Sequence, residues 1–257
     1  MKAFIVIPAY NEERRIGKTL EAYSDYFENI RMKEKIDYEI LVSINNTKDK
    51  TEEIVKKFSN INQRISYLNL PKGGKGYAVI EGFKEGLKRE NDLIGFVDAD
   101  MATSPEEYFK LIKGIDKFDG IIANRYLPGS KVYPPITFRR IVSGRIFNLI
   151  VRFFLFIPYT DTQCGAKIFR RKVIEKLLPK LGMTKWAFDV EMLYMLKKMK
   201  KRIIDIPTIW VDKEYSTINF VRSAPIMFLA VLRLRIINSP LRRFVRIYDK
   251  FLGFMPK

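Results

Sequence analysis

The sequence contains no histidine and only one cysteine, Cys164, among its 257 residues. The absence of histidine excludes catalytic triads that depend on a histidine base and zinc sites with histidine ligands. A single cysteine excludes an internal disulfide and a thiolate metal cluster, and it favours a reducing compartment. Any bound metal must therefore have oxygen ligands, which favours Mg²⁺ or Mn²⁺. We expect Cys164 to be a small packed residue, because no histidine is present to activate its thiol.

Long apolar runs are also missing. The N-terminal run covers only the seven residues Ala3–Ala9, which is too short for a signal peptide. Two later apolar stretches, at 141–158 and 225–238, are each interrupted by two arginines. Neither reaches the roughly 20 apolar residues that span a bilayer. We therefore expect neither a signal peptide nor a membrane-spanning helix.

Acidic residues are scarce in only one half of the chain. Residues 1–120 carry 20 Lys and Arg against 21 Asp and Glu, whereas residues 121–257 carry 27 against 8. The formal net charge of +18 therefore comes entirely from the second half. This asymmetry indicates a localised anionic partner, which is a membrane surface, a nucleic acid or a phosphorylated ligand.

The first 125 residues alternate between short apolar runs and amphipathic stretches of helical spacing, within a globular composition that is 47% apolar. This βαβαβα order predicts an α/β fold with a mostly parallel sheet, covered by helices and binding ligands at the carboxyl ends of its strands. The predicted strands are Ala3–Ala9, Tyr38–Ile44, Ile65–Leu70, Leu93–Val97 and Gly120–Ala123. The predicted helices begin near Ile16 and cover Thr51–Phe58, Tyr77–Lys88 and Pro105–Lys117, the last with Ser104 as its N-cap.

The alternation breaks after residue 125. The pattern there predicts a proline-rich turn at 133–135, a helix at about 141–157, a helix at about 187–200, a strand over Arg202–Trp210 and a basic amphipathic segment from Phe220 onward.

We predict one α/β domain over residues 1–215, with an amphipathic insertion at about 134–158, and a basic C-terminal segment over 216–257. The stretches Phe153–Ile157 and Ile226–Leu232 are apolar on nearly all sides and are flanked by arginine. This pattern is typical of helices that lie in the lipid headgroup region. The alternative is a pair of buried helices with solvated arginines.

The strongest chemical signal is Asp98-Ala99-Asp100, directly after the predicted strand Leu93–Val97. Two carboxylates at the exit of a parallel strand are suited to hold a divalent cation, and that cation in turn neutralises a diphosphate leaving group. A solvated turn with two acids is the alternative interpretation.

Two loops offer groups for a nucleotide. The run from Pro8 to Glu13 places backbone groups, a ring and carboxylates at the end of the first strand. Alternatively, Asn11 is only the N-cap of the following helix. The glycine loop from Lys72 to Gly76 presents two lysines and a helix N-terminus to phosphate, or it is a structural turn, since it lacks P-loop spacing.

The motifs IPAYNEE, GKGYAV, DADMAT, DTQCGAK and WAFDVEMLY resemble those of family 2 glycosyltransferases with the GT-A fold. More narrowly, they are similar to the dolichyl-phosphate glucosyltransferase branch. The resemblance covers roughly residues 3–235, and the last two motifs are much more specific than DxD alone. The related mannosyltransferases tend to carry glutamine where Ala102 stands.

The resemblance implies roles for individual residues. Asp98 and Asp100 serve ribose, diphosphate and metal, and Lys75 lies near the nucleotide. Relatives carry an acidic pair where this chain has Ile44-Asn45. The Asn45 amide oxygen can accept from a uracil N–H but also suits other bases, so UDP is favoured and GDP is the alternative. The residues implied to contact the nucleotide are Pro8, Ala9, Tyr10, Asn11, Glu12, Asn45, Lys75, Asp98 and Ala99.

For the acceptor, the resemblance implies that Arg125, Arg139 and Ser143 bind a lipid phosphate. A phosphomonoester is already an anion at neutral pH, so it needs cations rather than a general base to react. Its attack on the anomeric carbon, opposite the departing nucleotide, inverts configuration. Catalysis is then mainly positioning and charge neutralisation.

Asp189 and Glu191 have two interpretations. In relatives with a hydroxyl acceptor, the acid in this region is the general base. Alternatively, both acids favour the dipole of the helix that they begin. Trp186 adds a ring suited to a sugar, while Asp161 and Gln163 either contact the sugar or acceptor or hydrogen-bond within their loop. The predicted catalytic residues are Asp100, Arg125, Asp189 and Glu191.

These inferences predict a metal-dependent, inverting transferase that moves a hexose from a UDP-sugar to dolichyl or another polyprenyl phosphate. We expect it to be bound peripherally to the cytoplasmic face of a membrane. A GDP-mannose-dependent dolichyl-phosphate mannosyltransferase is the alternative among enzymes. A nucleic-acid-binding protein would also explain the charge of +18, but the basic residues interleave with apolar stretches and no recognition motif is present.

Overall fold

The computed structural model describes residues 1–134, 138–182, 187–211, 220–240 and 243, with the backbone alone at 138–143 and 220–227. Strands and helices alternate through the first half of the chain, as the hydrophobic pattern predicts. These elements are β1 (Lys2–Ala9), α1 (Ile16–Glu34), β2 (Asp37–Asn45), α2 (Thr51–Ile61), β3 (Ile65–Leu70), α3 (Lys75–Leu87), β4 (Leu93–Val97), α4 (Pro105–Lys113) and β5 (Gly120–Asn124).

The five predicted strands are confirmed to within one residue at each end. The predicted N-cap is also confirmed, because the Ser104 hydroxyl accepts a hydrogen bond from the Glu107 amide at 3.4 Å and Pro105 occupies the first turn of α4. The prediction that this helix continues to Lys117 is wrong. It ends at Lys113, and Gly114 follows as its C-cap.

The second half of the chain adds shorter strands and more helices. They are β6 (Lys131–Tyr133), α5 (Phe138–Leu155), β7 (Ala166–Arg170), α6 (Arg171–Leu177), α7 (Phe188–Lys198), β8 (Ile203–Pro207), β9 (Ile209–Val211) and α8 (Phe220–Ile237). The sequence pattern did not predict β6, β7 or α6.

The main sheet has seven strands in the order β3-β2-β1-β4-β7-β5-β8. All neighbours pair in parallel except β7, which lies antiparallel between β4 and β5. The predicted mostly parallel sheet is therefore confirmed. Because β1, β2 and β4 run in the same direction, their carboxyl ends meet at one edge of the sheet, where a ligand site is expected.

Helices cover both faces of this sheet. Alternate residues of β1 point to opposite layers, so Phe4 and Val6 join one buried cluster while Ile5 and Ile7 join the other. Helices α1, α2 and α4 pack on the second face, and α3, α5, α6, α7 and α8 pack on the first. The site edge is thus held between two separate hydrophobic layers.

The predicted single strand over Arg202–Trp210 is wrong, because it divides into two strands of different sheets. β8 pairs with β5 in the main sheet, whereas β9 pairs with β6 in a two-stranded sheet. Pro207 ends β8 because it has no backbone N–H to donate. Beyond it, the Ile209 amide donates to the buried Glu107 carboxylate at 2.9 Å, which turns the chain toward α4.

The predicted amphipathic helices pack against each other. The rings of Phe154 in α5 and Phe228 in α8 meet edge to face at 5.8 Å. Val151 and Leu155 of α5 are buried in the same cluster as Val231 of α8. Each helix therefore buries one face in the protein, and α5 exposes its other face. That these helices lie in the lipid headgroup region stays a prediction. Among the described residues, no helix is long and apolar enough to cross a membrane.

Candidate active site

Asp98 lies directly after β4, at the carboxyl edge of the sheet. Its amide donates to the Gly165 carbonyl oxygen at 3.0 Å. A Cβ atom at Gly165 would overlap the Asp98 carboxylate. The glycine of the DTQCGAK motif is therefore required because the chain before β7 crosses directly against the first acid of the DAD motif.

Four charged groups of alternating sign form a row beside this contact, which we call the charged row: Asp98, Lys75, Asp189 and Lys167. The Lys75 ammonium lies 2.6 Å from Asp98 Oδ1 and 3.9 Å from Asp189 Oδ2. The Lys167 ammonium lies 2.6 Å from Asp189 Oδ1 and donates to the Cys164 carbonyl oxygen, also at 2.6 Å. The row joins the end of β4, the start of α3, the start of α7 and strand β7.

Burial and pairing have opposite effects on the pKa values in the charged row. Burial lowers the pKa of Lys75, but Asp98 and then Asp189 outweigh it, so that this pKa is raised above its ordinary value. Burial raises the pKa of Asp189, but Lys167 and Lys75 outweigh it and lower this pKa. Both groups are therefore charged at neutral pH, and the Asp189 carboxylate is a weak base.

Asp100 has a different environment. Its Oδ1 accepts a hydrogen bond from the Ala102 amide at 2.9 Å, across a turn in which Met101 has a left-handed φ of 60°. Burial, and then the neighbouring Asp98 carboxylate, raise the pKa of Asp100. Burial likewise raises the pKa of Glu12, despite its ion pair with Arg15 at 2.6 Å. This edge of the sheet therefore concentrates negative charge that the protein itself does not fully neutralise.

The two acids of the DAD motif fit a divalent cation whose remaining ligands come from a bound anion. Among the described residues, no cluster of three or more acidic, cysteine or histidine side chains could hold a metal by itself. Mg²⁺ is usually bound through one or two carboxylates together with substrate phosphates. Burial, and then the Asp98 carboxylate, raise the pKa of Asp100, and such a cation would offset both effects.

The predicted nucleotide-binding residues of β1 and β2 lie at the same edge of the sheet. The Asn45 side chain is buried and donates to the Ala9 carbonyl oxygen at 3.0 Å, while its Oδ1 accepts from the Gly74 amide at 3.1 Å. In this structure Asn45 joins the end of β1 to the glycine loop. Tyr10, by contrast, is exposed at the rim. Pro8 and Ala9 belong to β1, and Ala99 is buried between the two acids.

The alternative that Asn11 caps α1 is wrong. The N-cap of α1 is Arg15, which makes no side-chain cap hydrogen bond. Asn11 has a left-handed φ of 53°, and its side chain accepts from the Lys48 amide at 2.9 Å. Asn11 therefore fastens the loop after β1 to the loop after β2, beside the predicted nucleotide position.

Arg125 and Asp161 form a bidentate ion pair at the end of β5. The Arg125 guanidinium donates twice to the Asp161 carboxylate, at 2.7 and 2.9 Å, and its carbon lies 5.1 Å from the centre of the Trp210 ring. Despite burial, Arg125 lowers the pKa of Asp161, which is fully buried. The Gln163 amide also donates to Asp161, at 3.3 Å. Asp161 was predicted either to contact the sugar or acceptor or to hydrogen-bond within its loop. In the structure it makes the loop hydrogen bonds.

Helix α5 is tied to this same loop. The buried Asn148 side chain accepts hydrogen bonds from the Thr162 amide at 3.2 Å and from the Thr162 hydroxyl at 3.0 Å. The segment from Asp161 to Gln163 is thus held by Arg125, which binds Asp161, and by α5, which binds Thr162.

Of the other predicted residues, the structure describes some and not others. Glu191 accepts from the Gly182 backbone amide at 3.1 Å, whereas Asp189 belongs to the charged row. Cys164 is fully buried, and burial raises its pKa to about 12, so the prediction of a packed residue is confirmed. The side chains of Arg139 and Ser143, and the whole of Trp186, lie outside the described residues.

Sequence reasoning missed Gly165 and Lys167. Lys167 is fully buried in a central strand, where Phe96 lies 5.2 Å from its ammonium. Lys167, the second residue of Ala166–Arg170, made this strand hard to recognise, because a buried strand is expected to be continuously apolar. The available signal was the DTQCGAK motif, which ends in Gly165-Ala166-Lys167.

Comparison with known proteins identifies the family of the chain. The family model for Glycosyl transferase family 2 matches residues 4–178. A dolichyl-phosphate beta-glucosyltransferase from Trichomonas vaginalis is 31% identical over 219 residues, or 82% of this chain and 66% of the relative. The dolichyl-phosphate beta-glucosyltransferase of Dictyostelium discoideum is 29% identical over 90% of this chain and 73% of the relative. This chain thus spans about two thirds of the length of the curated relatives that it matches.

A solved structure shows the same fold. Glucosyl-3-phosphoglycerate synthase from Mycobacterium tuberculosis, crystallised with Mn²⁺, UDP and glucosyl-3-phosphoglycerate, superposes with a TM-score of 0.62. The match covers 91% of this chain and 78% of the synthase at 15% identity, so it concerns the fold alone, and it confirms the predicted GT-A fold. Four of the five motifs that carry the resemblance contribute a residue to the charged row. Because the family model matches well over half of the residues, the chain belongs to glycosyl transferase family 2.

Proposed function

We propose that this chain transfers a hexose from a UDP-sugar to dolichyl or another polyprenyl phosphate at a membrane surface, with inversion of configuration. The observation that carries the proposal is the placement of Asp98 and Asp100 beside Lys75 at the carboxyl edge of the sheet. The likeness to dolichyl-phosphate glucosyltransferases supports the acceptor and the sugar.

Asp98 and Asp100 would hold Mg²⁺ or Mn²⁺ together with the donor diphosphate. Such a cation neutralises the charge that develops on the leaving diphosphate. Lys75 lies between Asp98 and Asp189 and keeps a positive charge near this position. Asn45 and Asn11 fix the loops after β1 and β2, so that the nucleotide meets a rigid surface.

The chemistry of Asp189 favours a phosphate acceptor over a hydroxyl acceptor. A hydroxyl nucleophile needs a general base with a pKa near the working pH. The lowered pKa of Asp189, between Lys167 and Lys75, makes it a poor base. A phosphomonoester is already ionised and needs no base, so a carboxylate that only positions cations is sufficient. Arg125 would reach this phosphate only by sharing its guanidinium with Asp161.

The proposal is tested by offering the purified chain polyprenyl phosphate with labelled UDP-glucose, UDP-N-acetylglucosamine or GDP-mannose, in the presence of Mg²⁺ or Mn²⁺. We expect label from a UDP-sugar in the organic phase and none when the metal is chelated. Transfer only from GDP-mannose would establish the mannosyltransferase alternative. No transfer from any of the three donors would contradict the proposed function.

Asp100→Asn should separate activity from stability. Transfer should fall by about 100-fold or more, because the amide cannot neutralise a cation. The unfolding temperature at pH 7 should stay the same or rise, since folding raises the pKa of Asp100 and its charge therefore disfavours the folded state. Asparagine keeps the acceptor for the Ala102 amide. Undiminished transfer in this variant would remove Asp100 from the proposed mechanism.

We further propose that the outer face of α5 docks on anionic lipid. Ile146, Leu149 and Phe153 recur at helical spacing and are 52%, 63% and 71% exposed. The exposed Arg145 and Arg152 flank them, and the helix contains no acidic residue. An apolar stripe beside arginines suits the boundary between lipid tails and negatively charged headgroups.

Vesicle sedimentation measures this docking. Leu149→Glu/Phe153→Glu should bind vesicles of phosphatidylcholine with phosphatidylserine at least about 10-fold more weakly than the unchanged protein, because two inserted side chains are lost. The matched control is Ile61→Glu, which introduces a charge at an exposed apolar residue of α2 on the opposite layer. Equal binding by both variants, or salt-sensitive retention on DNA without vesicle binding, would contradict docking through α5.

A further inference from the structure

The Lys75 ammonium is paired with Asp98, one of the two carboxylates that would hold a divalent cation. Asp98 Oδ1 is 2.6 Å from this ammonium. The other oxygen, Oδ2, lies against the Gly165 backbone, where even a single added carbon would overlap it. Each oxygen of the Asp98 carboxylate is therefore already in contact with the protein's own atoms.

A metal and this ammonium cannot share Asp98 without strong repulsion. Mg²⁺ contacts carboxylate oxygens at about 2.1 Å, which is closer than the ammonium lies. Two cations on one carboxylate repel each other, and the repulsion is stronger in a partly buried site than in water. Lys75 must therefore move away from Asp98 if a metal binds there.

A second position for the ammonium is already present. Asp189 Oδ2 lies 3.9 Å from the Lys75 ammonium, so a shift of roughly 1 Å brings the two within hydrogen-bond distance. The other oxygen of Asp189 is fixed by Lys167, which holds the carboxylate in place. The four-carbon side chain of lysine is flexible enough for this exchange.

We propose that Lys75 is an exchangeable cation, which pairs with Asp98 when no donor is bound and moves to Asp189 when donor and metal bind. The protein alone then binds divalent cations weakly, and the donor diphosphate supplies both the missing ligands and the negative charge that retain the metal. This inference rests on the metal site of the proposed function, and it adds that metal binding depends on the donor.

The test is Mn²⁺ binding measured by calorimetry or electron paramagnetic resonance, which does not require catalysis. Without nucleotide, Lys75→Met should bind Mn²⁺ about 10-fold or more tightly than the unchanged protein, because the competing charge is gone. Lys75→Arg keeps the charge and should bind as weakly as the unchanged protein. Lys84→Met, which changes an exposed lysine of the same helix α3 that pairs with Glu81, is the matched control and should have no effect.

Two further measurements separate the possible failures. Adding Asp98→Asn to Lys75→Met should abolish the tighter binding, which locates the ion at Asp98. If UDP promotes Mn²⁺ binding but Lys75→Met binds no more tightly without UDP, the exchange is overturned and the metal site stands. If no variant binds Mn²⁺ with or without UDP, the metal site of the proposed function is overturned, and the exchange with it.

Discussion

Replacing Gly165 with alanine should reduce sugar transfer by about 100-fold or more, although the change adds only one methyl group. The added Cβ would overlap the Asp98 carboxylate, which must then turn away from Lys75 and from the metal position. Displacements of about 1 Å in a positioned catalytic group cost about two orders of magnitude in rate. The measurement is the organic-phase transfer assay, with donor binding measured in parallel by calorimetry.

A second glycine provides the control for this prediction. A Cβ at Gly17 of α1 would meet only Ile54 and Phe58, at ordinary contact distances of 3.5 and 3.8 Å. Gly17→Ala should therefore leave transfer unchanged and should stabilise the helix by up to about 1 kcal/mol. Near-normal transfer in Gly165→Ala would mean that the position of the Asp98 carboxylate does not limit the reaction.

Lys167→Met should lower the free energy of unfolding by about 3 kcal/mol. The substitution removes the partner of the buried Asp189 carboxylate and one donor to the Cys164 carbonyl oxygen, and breaking a buried ion pair costs about 3 to 5 kcal/mol. Lys75 remains 3.9 Å from Asp189 and compensates part of the loss, which places the expected cost at the low end. Urea unfolding at pH 7 measures the difference.

The pH dependence of this loss follows from the lowered pKa of Asp189. A carboxylate whose pKa is lowered by folding stabilises the protein above its unfolded pKa of about 3.9, and this stabilisation disappears as the pH falls through the folded pKa. The difference between Lys167→Met and the unchanged protein should therefore shrink below about pH 4. A difference that is independent of pH would indicate lost packing of the lysine stem instead.

Removing both members of the pair gives a further check. Lys167→Met/Asp189→Leu replaces the ion pair with apolar groups, which is often neutral in stability. We expect this double variant to recover most of the loss, but to be inactive. If it is less stable than Lys167→Met, the pair contributes more than charge compensation.

The sequence was sufficient to predict the first half of the fold, because its strands are apolar and its helices amphipathic. It was also sufficient to predict that ligand-binding groups lie at the carboxyl ends of the parallel strands, where Asp98 and the loop before Lys75 are found. These predictions depend only on periodicity and on the direction of the strands.

The inner part of the site follows from contacts that periodicity does not report. Lys167 appears polar in the sequence, yet its charge is neutralised by Asp189, 22 residues later in the chain. The side-chain amide of Asn45 appears in the sequence to suit a nucleotide base. In the structure its Nδ2 donates to the Ala9 carbonyl oxygen and its Oδ1 accepts from the Gly74 amide, so the backbone engages both atoms. In both cases the partner is brought near by the sheet, and only the three-dimensional arrangement identifies it.

The link between Asn148 and Thr162 has a consequence for how the lipid is recognised. Asn148 belongs to α5, the helix proposed to dock on the bilayer, and it holds the loop that carries Asp161 and thereby Arg125. If α5 docks on the bilayer as proposed, the fold itself sets the height of Arg125 above the membrane plane. An acceptor would then be recognised by how far its phosphate stands above the bilayer, and the number of isoprene units beneath it would not enter the contact.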